Sequence, residues 1–170
     1  AVASPVAPAA AADPGIAALQ GIGLAVFPEP QALPPLEVPT PDGKTLRLVD
    51  YAGKYVFLNF WATWCPPCKA EMPSMERLFA ALDGNDFGIM AISVGEKTET
   101  VRKFMSENKY TFPIGMDSDG SLGAMFAGRG IPTTYILDRK GRAIAGVIGG
   151  REWDDPETVA AFKLLLSGKE

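Results

Sequence analysis

The chain has no histidine and only two cysteines among its 170 residues. A closed structural zinc site takes four Cys or His ligands, so this chain cannot build one by itself. With two cysteines there is no disulfide framework either; the one intramolecular bridge open to the chain joins Cys65 to Cys68. No apolar run approaches the length of a membrane-spanning helix, the longest stretches being broken by Asn59 or by glycine. Basic residues are scattered under a net charge of −4, so the charge pattern carries no nucleic-acid footprint. A chain of this length is expected to form one domain around one core.

What is present is concentrated around the cysteines, in Trp64-Cys65-Pro66-Pro67-Cys68. Two thiols separated by two residues can close a small ring within one helical turn, which makes the pair a redox device or a metal clasp rather than a structural staple. Upstream, the run from Tyr55 to Trp61 is large, apolar and free of Pro and Gly, as a buried central strand is. Downstream, Lys69 to Leu82 has apolar residues at helical spacing and stops at Asp83-Gly84. The cysteines thus fall where a buried strand ends and a helix begins. Unpaired amide N–H groups and aligned peptide dipoles at a helix start stabilise a thiolate there, so Cys65 is expected to be the more acidic thiol and the nucleophile. Pro66 and Pro67 suit the first helical positions, where a missing N–H costs little. Cys68, one turn in, is expected to be more buried and to resolve the mixed disulfide.

The other segments order themselves along the chain. Leu36 to Val38 and Lys44 to Leu48 flank Pro41-Asp42-Gly43, a hairpin signal. Phe87 to Val94 reads as a second buried strand, 98–108 as a one-faced helix, 112–116 as a short strand and 121–126 as a short helix. Thr133 to Leu137 and Ala143 to Ile148 form a hairpin, and a last helix begins at Asp155-Pro156. This order predicts an α/β fold, a mixed central sheet flanked by helices. The first 30 residues, dominated by Ala, Pro and Val at their start, read as a tail or linker, with 16–22 able to add a short helix or strand; the domain proper is drawn at 31–170. A start at Ala1 without Met fits an export signal or anchor removed upstream.

Trp61-Ala62-Thr63-Trp64-Cys65-Pro66-Pro67-Cys68, Pro73 within the following helix, and Ile131-Pro132-Thr133-Thr134 together resemble a thioredoxin-fold protein. Lys69-Ala70-Glu71-Met72-Pro73 and Ala91 to Glu96 narrow the likeness to the exported TlpA/ResA/CcmG group of thiol–disulfide reductases. The resemblance implies a thioredoxin-like fold with an N-terminal β-hairpin and a central insertion. It implies that Pro132 is cis beside the disulfide, that Ile131 offers backbone hydrogen bonds to an extended substrate, and that Glu71 handles the proton of Cys68. Trp64, Pro66, Pro67 and Thr133 complete the expected substrate-facing and supporting set. Ordinary thioredoxins have an aspartate where Asn59 stands, so that base is missing here. The clients implied are disulfide-containing proteins of cytochrome c maturation or copper-oxidase assembly, with a membrane dithiol donor upstream, a soluble and monomeric mature domain on the exported side of the membrane, and no cofactor.

Three rivals weigh less. A thiol pair binds Cu(I), yet the copper-carrying relatives of this fold usually add a histidine. A thiol peroxidase generally places Thr three positions before its attacking Cys, where Ala62 stands here. A thiol oxidase or isomerase stabilises its dithiol form, commonly through a cation, whereas Pro66 and Pro67 bring neither charge nor side-chain donor. A reductant is expected. Glu96 and Trp153 stand out by position, without a role that the sequence assigns.

Overall fold

The computed structural model describes residues 13–168. Strand β4 (Tyr55–Trp61) is buried at every position, and its alternating side chains feed two separate cores. Phe57 and Trp61 point into one; Val56, Leu58 and Phe60 point into the other. A strand buried on both faces must read as a continuous apolar run, and this one does.

Around it lies a six-stranded mixed sheet in the order β1-β8-β7-β4-β5-β6. β4, β5 (Phe87–Val94) and β6 (Ile114–Asp117) run parallel; β7 (Thr133–Leu137), β8 (Ala143–Ile148) and β1 (Ala25–Gln31) pair antiparallel. Helices α1 (Pro14–Gly21), α2 (Pro66–Ala81), α3 (Thr98–Glu107) and α5 (Pro156–Ser167) contribute Leu19, Met72, Met75, Leu78, Val101, Phe162 and Leu165 to the first core. The second is closed by the hairpin of β2 (Glu37–Pro39) and β3 (Thr45–Arg47), through Val38 and Leu46, and by the short α4 (Ser121–Phe126). Gly43, at φ 86°, makes the tight turn between β2 and β3 that the Asp-Gly pair announced. The architecture is thioredoxin-like, with the β2–β3 hairpin ahead of the central strand and α3, β6 and α4 between β5 and β7. Among the described residues no helix is long and apolar enough to cross a membrane.

The domain begins earlier than residue 31. Residues 1–12 lie outside the described residues, but Asp13 caps α1 by accepting from Gly15 N and Ile16 N, with Pro14 at its first position. Leu19 is fully buried, and β1 extends the sheet beyond β8. Pro28 and Pro30 lack N–H groups and are tolerated because β1 is an edge strand. The tail reading fails over 14–31 because a few well-spaced apolar side chains, not average composition, decide whether a segment docks.

Helix α1 meets α5 at Gly15, where a β-carbon would stand 2.6 Å from Leu165 Cα. That atom is backbone and cannot swing aside. Gly15→Ala should therefore pry α1 from α5 and cost about 1–3 kcal/mol, the usual range for overpacking. Urea unfolding at unchanged m-value is the measurement; a variant as stable as the parent would mean that the N-terminal helix adds no packing energy.

Candidate active site

Strand β4 ends at Trp61, the chain turns through Ala62-Thr63-Trp64, and α2 begins at Pro66 with Cys65 as its N-cap. Cys65 and Cys68 are joined as a disulfide, Cα to Cα 5.3 Å. The Cys65 sulfur accepts from Cys68 N at 3.4 Å, occupying one of the amides that a helix start leaves unpaired. Pro66 and Pro67 fill the next two positions and remain exposed. Cys65 is 3% exposed and Cys68 fully buried, the order expected of attacking and resolving thiols.

The loop before β7 comes up against the pair. The Ile131–Pro132 peptide is cis, and the carbonyl oxygen of Ile131 lies 3.7 Å from Cys65 Sγ, within reach of a thiol S–H once the disulfide is reduced. Thr133 is buried, its hydroxyl donating to Gly130 O at 2.6 Å. Trp64 stands 67% exposed beside the cysteine, whereas Trp61 is buried and packs at 5.2 Å from the ring of Phe104. Trp64, Cys65, Ile131 and Pro132 thus gather at one place.

Glu71 follows Cys68 by one helical turn, and at that spacing the two side chains share a face of α2. A carboxylate in the first turns of a helix is ordinarily solvated; this one is 2% exposed. It sits in a cage of donors: Asn59 Nδ2 gives to Oε1 at 3.0 Å, and Trp153 Nε1 and Arg151 N give to Oε2 at 3.1 and 3.2 Å. Ser74 closes the cage from behind, donating to Glu71 O at 2.7 Å and accepting from Trp153 N at 3.0 Å. Burial pushes the pKa of Glu71 up to about 7, and the donated hydrogen bonds and the charge of Arg151 offset only part of that. A group titrating there can take or give a proton at neutral pH. Asn59 Nδ2 also gives to Thr134 Oγ1 at 2.9 Å, so one amide ties α2 to the strand that follows Pro132.

A second buried carboxylate, Glu96, holds the turn from the other side. It accepts from Thr63 N and Ser93 Oγ, each at 2.8 Å, and from the Thr63 hydroxyl. Glu96 therefore anchors the chain two residues before the nucleophile, and Trp153 serves the cage of Glu71; these are the roles the sequence left open. Arg151 and Ser74 escaped notice altogether, because nothing local distinguishes an arginine or serine that will meet a carboxylate across the fold. Among the described residues no group of three or more Cys, Asp or Glu side chains converges to hold a metal.

The carboxylate cage carries a pH signature. Glu71 is raised from 4.5 to about 7 on folding, so the native state holds the proton more tightly and its contribution to stability is intact below pH 4.5 and lost as pH rises through 7. The loss should approach about 3 kcal/mol by pH 8. In the disulfide form no histidine and no free thiol shares that window. Urea unfolding of the oxidised protein at pH 5 to 8 should show the decline, and Glu71→Gln should flatten it; an equal slope in the variant would place the titration elsewhere.

Residues 30–144 match the AhpC/TSA family. Over 116 residues, 68% of this chain and 66% of the relative, the sequence is 41% identical to the thiol-disulfide oxidoreductase ResA of Geobacillus kaustophilus. Against ResA of Bacillus subtilis the figures are 36% over 108 residues, 64% of this chain and 60% of the relative. The match thus spans just under two thirds of those relatives' length. Among solved structures, a putative thiol:disulfide interchange protein DsbE from Chlorobium tepidum superposes with a TM-score of 0.74 at 27% identity, over 82% of this chain and 98% of that one. StoA from Bacillus subtilis does so with a TM-score of 0.64 at 27% identity, over 77% and 99%. The fold agrees with these likenesses, and the chain belongs to the AhpC/TSA family.

Proposed function

We propose that the protein is a thiol–disulfide oxidoreductase that reduces disulfides in exported partner proteins, among them the apoproteins of cytochrome c maturation or copper-oxidase assembly. The observation that carries this reading is the position of Cys65 Sγ, 3.7 Å from the Ile131 carbonyl beside cis-Pro132, with exposed Trp64 next to it. An extended client segment laid along Ile131–Pro132 would bring its disulfide to that sulfur. An apolar groove of about 620 Å³ opens from Thr133 along Tyr135, Phe126 and Ile148 and extends the surface available to such a segment.

The chemistry is a two-electron exchange. Cys65 thiolate attacks one client sulfur, the client disulfide breaks, and the sulfur that leaves takes a proton. Cys68 then gives its proton to the Glu71 carboxylate and attacks Cys65 Sγ. The mixed disulfide breaks, the second client thiol departs, and the protein is left as the Cys65–Cys68 disulfide. A membrane dithiol donor on the exported side returns two electrons and two protons. Glu71 suits the middle step because its acidity near neutrality leaves part of it ionised to accept the proton and part protonated to return it. Pro66 and Pro67 place no charge between the sulfurs, which leaves the dithiol unstabilised and inclined to give up its electrons. In this reading the working form is a soluble monomeric domain facing away from the cytoplasm.

The reduction potential, titrated against glutathione or dithiothreitol, tests the direction: a value at or below roughly −220 mV is expected of a reductant, and one near roughly −120 mV would reverse the electron flow. Cys68→Ser should trap clients as mixed disulfides on Cys65, visible as reductant-sensitive adducts in an extract of the exported fraction. An empty trap would count against protein clients.

A further inference from the structure

We infer that Arg151 is a positioning residue for Glu71: its guanidinium locks the loop after β8 in the one arrangement that brings two donors to the carboxylate, and it is braced by the N-terminal segment. The inference deepens the proton-handling reading given above and rests on it for its consequence, though not for its geometry.

Three elements meet at the guanidinium. Nη1 donates to Ile22 O at 2.7 Å, Nη2 donates to Thr158 Oγ1 at 3.2 Å on α5, and the plane lies over the ring of Trp153, 4.9 Å from its centroid. Ile22 is the C-cap of α1, where carbonyls lack intrahelical partners and the helix dipole favours a cation. α1 has no basic residue in its last turn, so the cation arrives from 129 residues away. Thr158 is fully buried and gives its own proton to Asp155 Oδ1 at 2.7 Å, which leaves its oxygen free to accept from Arg151.

An arginine that merely capped α1 would end there. This one carries Glu71 with it. Its backbone N–H and the indole of Trp153, on which the guanidinium lies, supply both hydrogen bonds to Glu71 Oε2. A planar fork can bond Ile22 and Thr158 while stacking on an indole; the point charge of a lysine cannot do all three. The groups facing Glu71 are few: neutral Asn59 from β4, and Arg151 and exposed Glu152 from the loop, where Glu152 shares the small groove in front of Glu71; Asp155 of the α5 cap acts on Arg151.

The test follows the Trp153 indole N–H resonance of the oxidised full chain through pH 4 to 9, since that proton is bonded to Glu71 and reads its ionisation directly. Glu71→Gln identifies the transition by abolishing it. In Arg151→Ala the midpoint should move up by about half a pH unit or more as the donors loosen and the positive charge goes. Amide exchange around Leu19 to Val26 should quicken about tenfold while that of β4 and β5 stays unchanged. Arg151→Lys, which keeps the charge and the fold, should move the midpoint in the same direction. A midpoint unmoved in either variant overturns the inference, in Arg151→Lys because a field alone would then suffice. The proton-handling reading fails separately: if Glu71→Gln leaves the pH profile of disulfide reduction unchanged, Glu71 does not serve Cys68, while the indole resonance still decides what Arg151 does.

Discussion

Strand β4 is buried along its whole length, and the active site lies where that burial stops. The chain turns out of the strand through buried Ala62 and half-buried Thr63 and enters α2 with Cys65 as its N-cap, where Pro66 and Pro67 carry no N–H and the Cys68 amide is given to Cys65 Sγ. The sulfur therefore sits at the positive end of the helix dipole with one N–H donated to it, and exposed Trp64, Pro66 and Pro67 surround it. Glu96 makes the exit reproducible. By taking both the N–H and the hydroxyl of Thr63 it pins the turn to the end of β5, so Cys65 is presented by a fixed loop and not by a flexible one.

Burial also sets the chemistry one turn further along. Removing Glu71 from water raises its pKa more than three hydrogen bonds and the charge of Arg151 lower it, and the balance falls at about 7. A fully solvated glutamate would be ionised throughout the working range and could not return a proton; one buried without donors would stay protonated and could not accept one. The cage of Asn59, Arg151 and Trp153 is thus a compromise between those limits, and its members come from two places in the fold, β4 and the loop after β8.

How much of this was legible depends on how local each feature is. Cys65, Cys68, Pro66 and Pro67 announce themselves because four consecutive positions carry the whole pattern, and the β2–β3 turn does so through Asp42-Gly43. Trp64 and Trp61 separate correctly because one follows the strand and the other ends it. Glu71 is different: on the sequence it is a polar residue near a helix start, and its burial is decided by Asn59, Arg151 and Trp153, respectively 12, 80 and 82 residues away. No periodicity encodes that. The N-terminal segment is the opposite case. Asp13 and Pro14 start α1 in the structure, but the Ala- and Pro-rich residues ahead of them dominate the composition, and the prolines of β1 argue against a strand unless the strand is known to lie at an edge.

Asn59 shows why the ionisable group sits on the helix and not on the strand. Its side-chain nitrogen spends both protons at once, on Glu71 Oε1 and on Thr134 Oγ1. A carboxylate in its place would face Glu71 across 3.0 Å with no proton between them, and two such charges in a buried site cannot both ionise. A neutral amide at position 59 donates to Glu71 without adding a second buried charge. The same amide joins α2, whose N-cap is Cys65, to β7, which follows directly on Pro132. A residue that reads as the loss of a base is, in this arrangement, the donor that ties Glu71 on the helix to the strand leading out of the cis-proline loop.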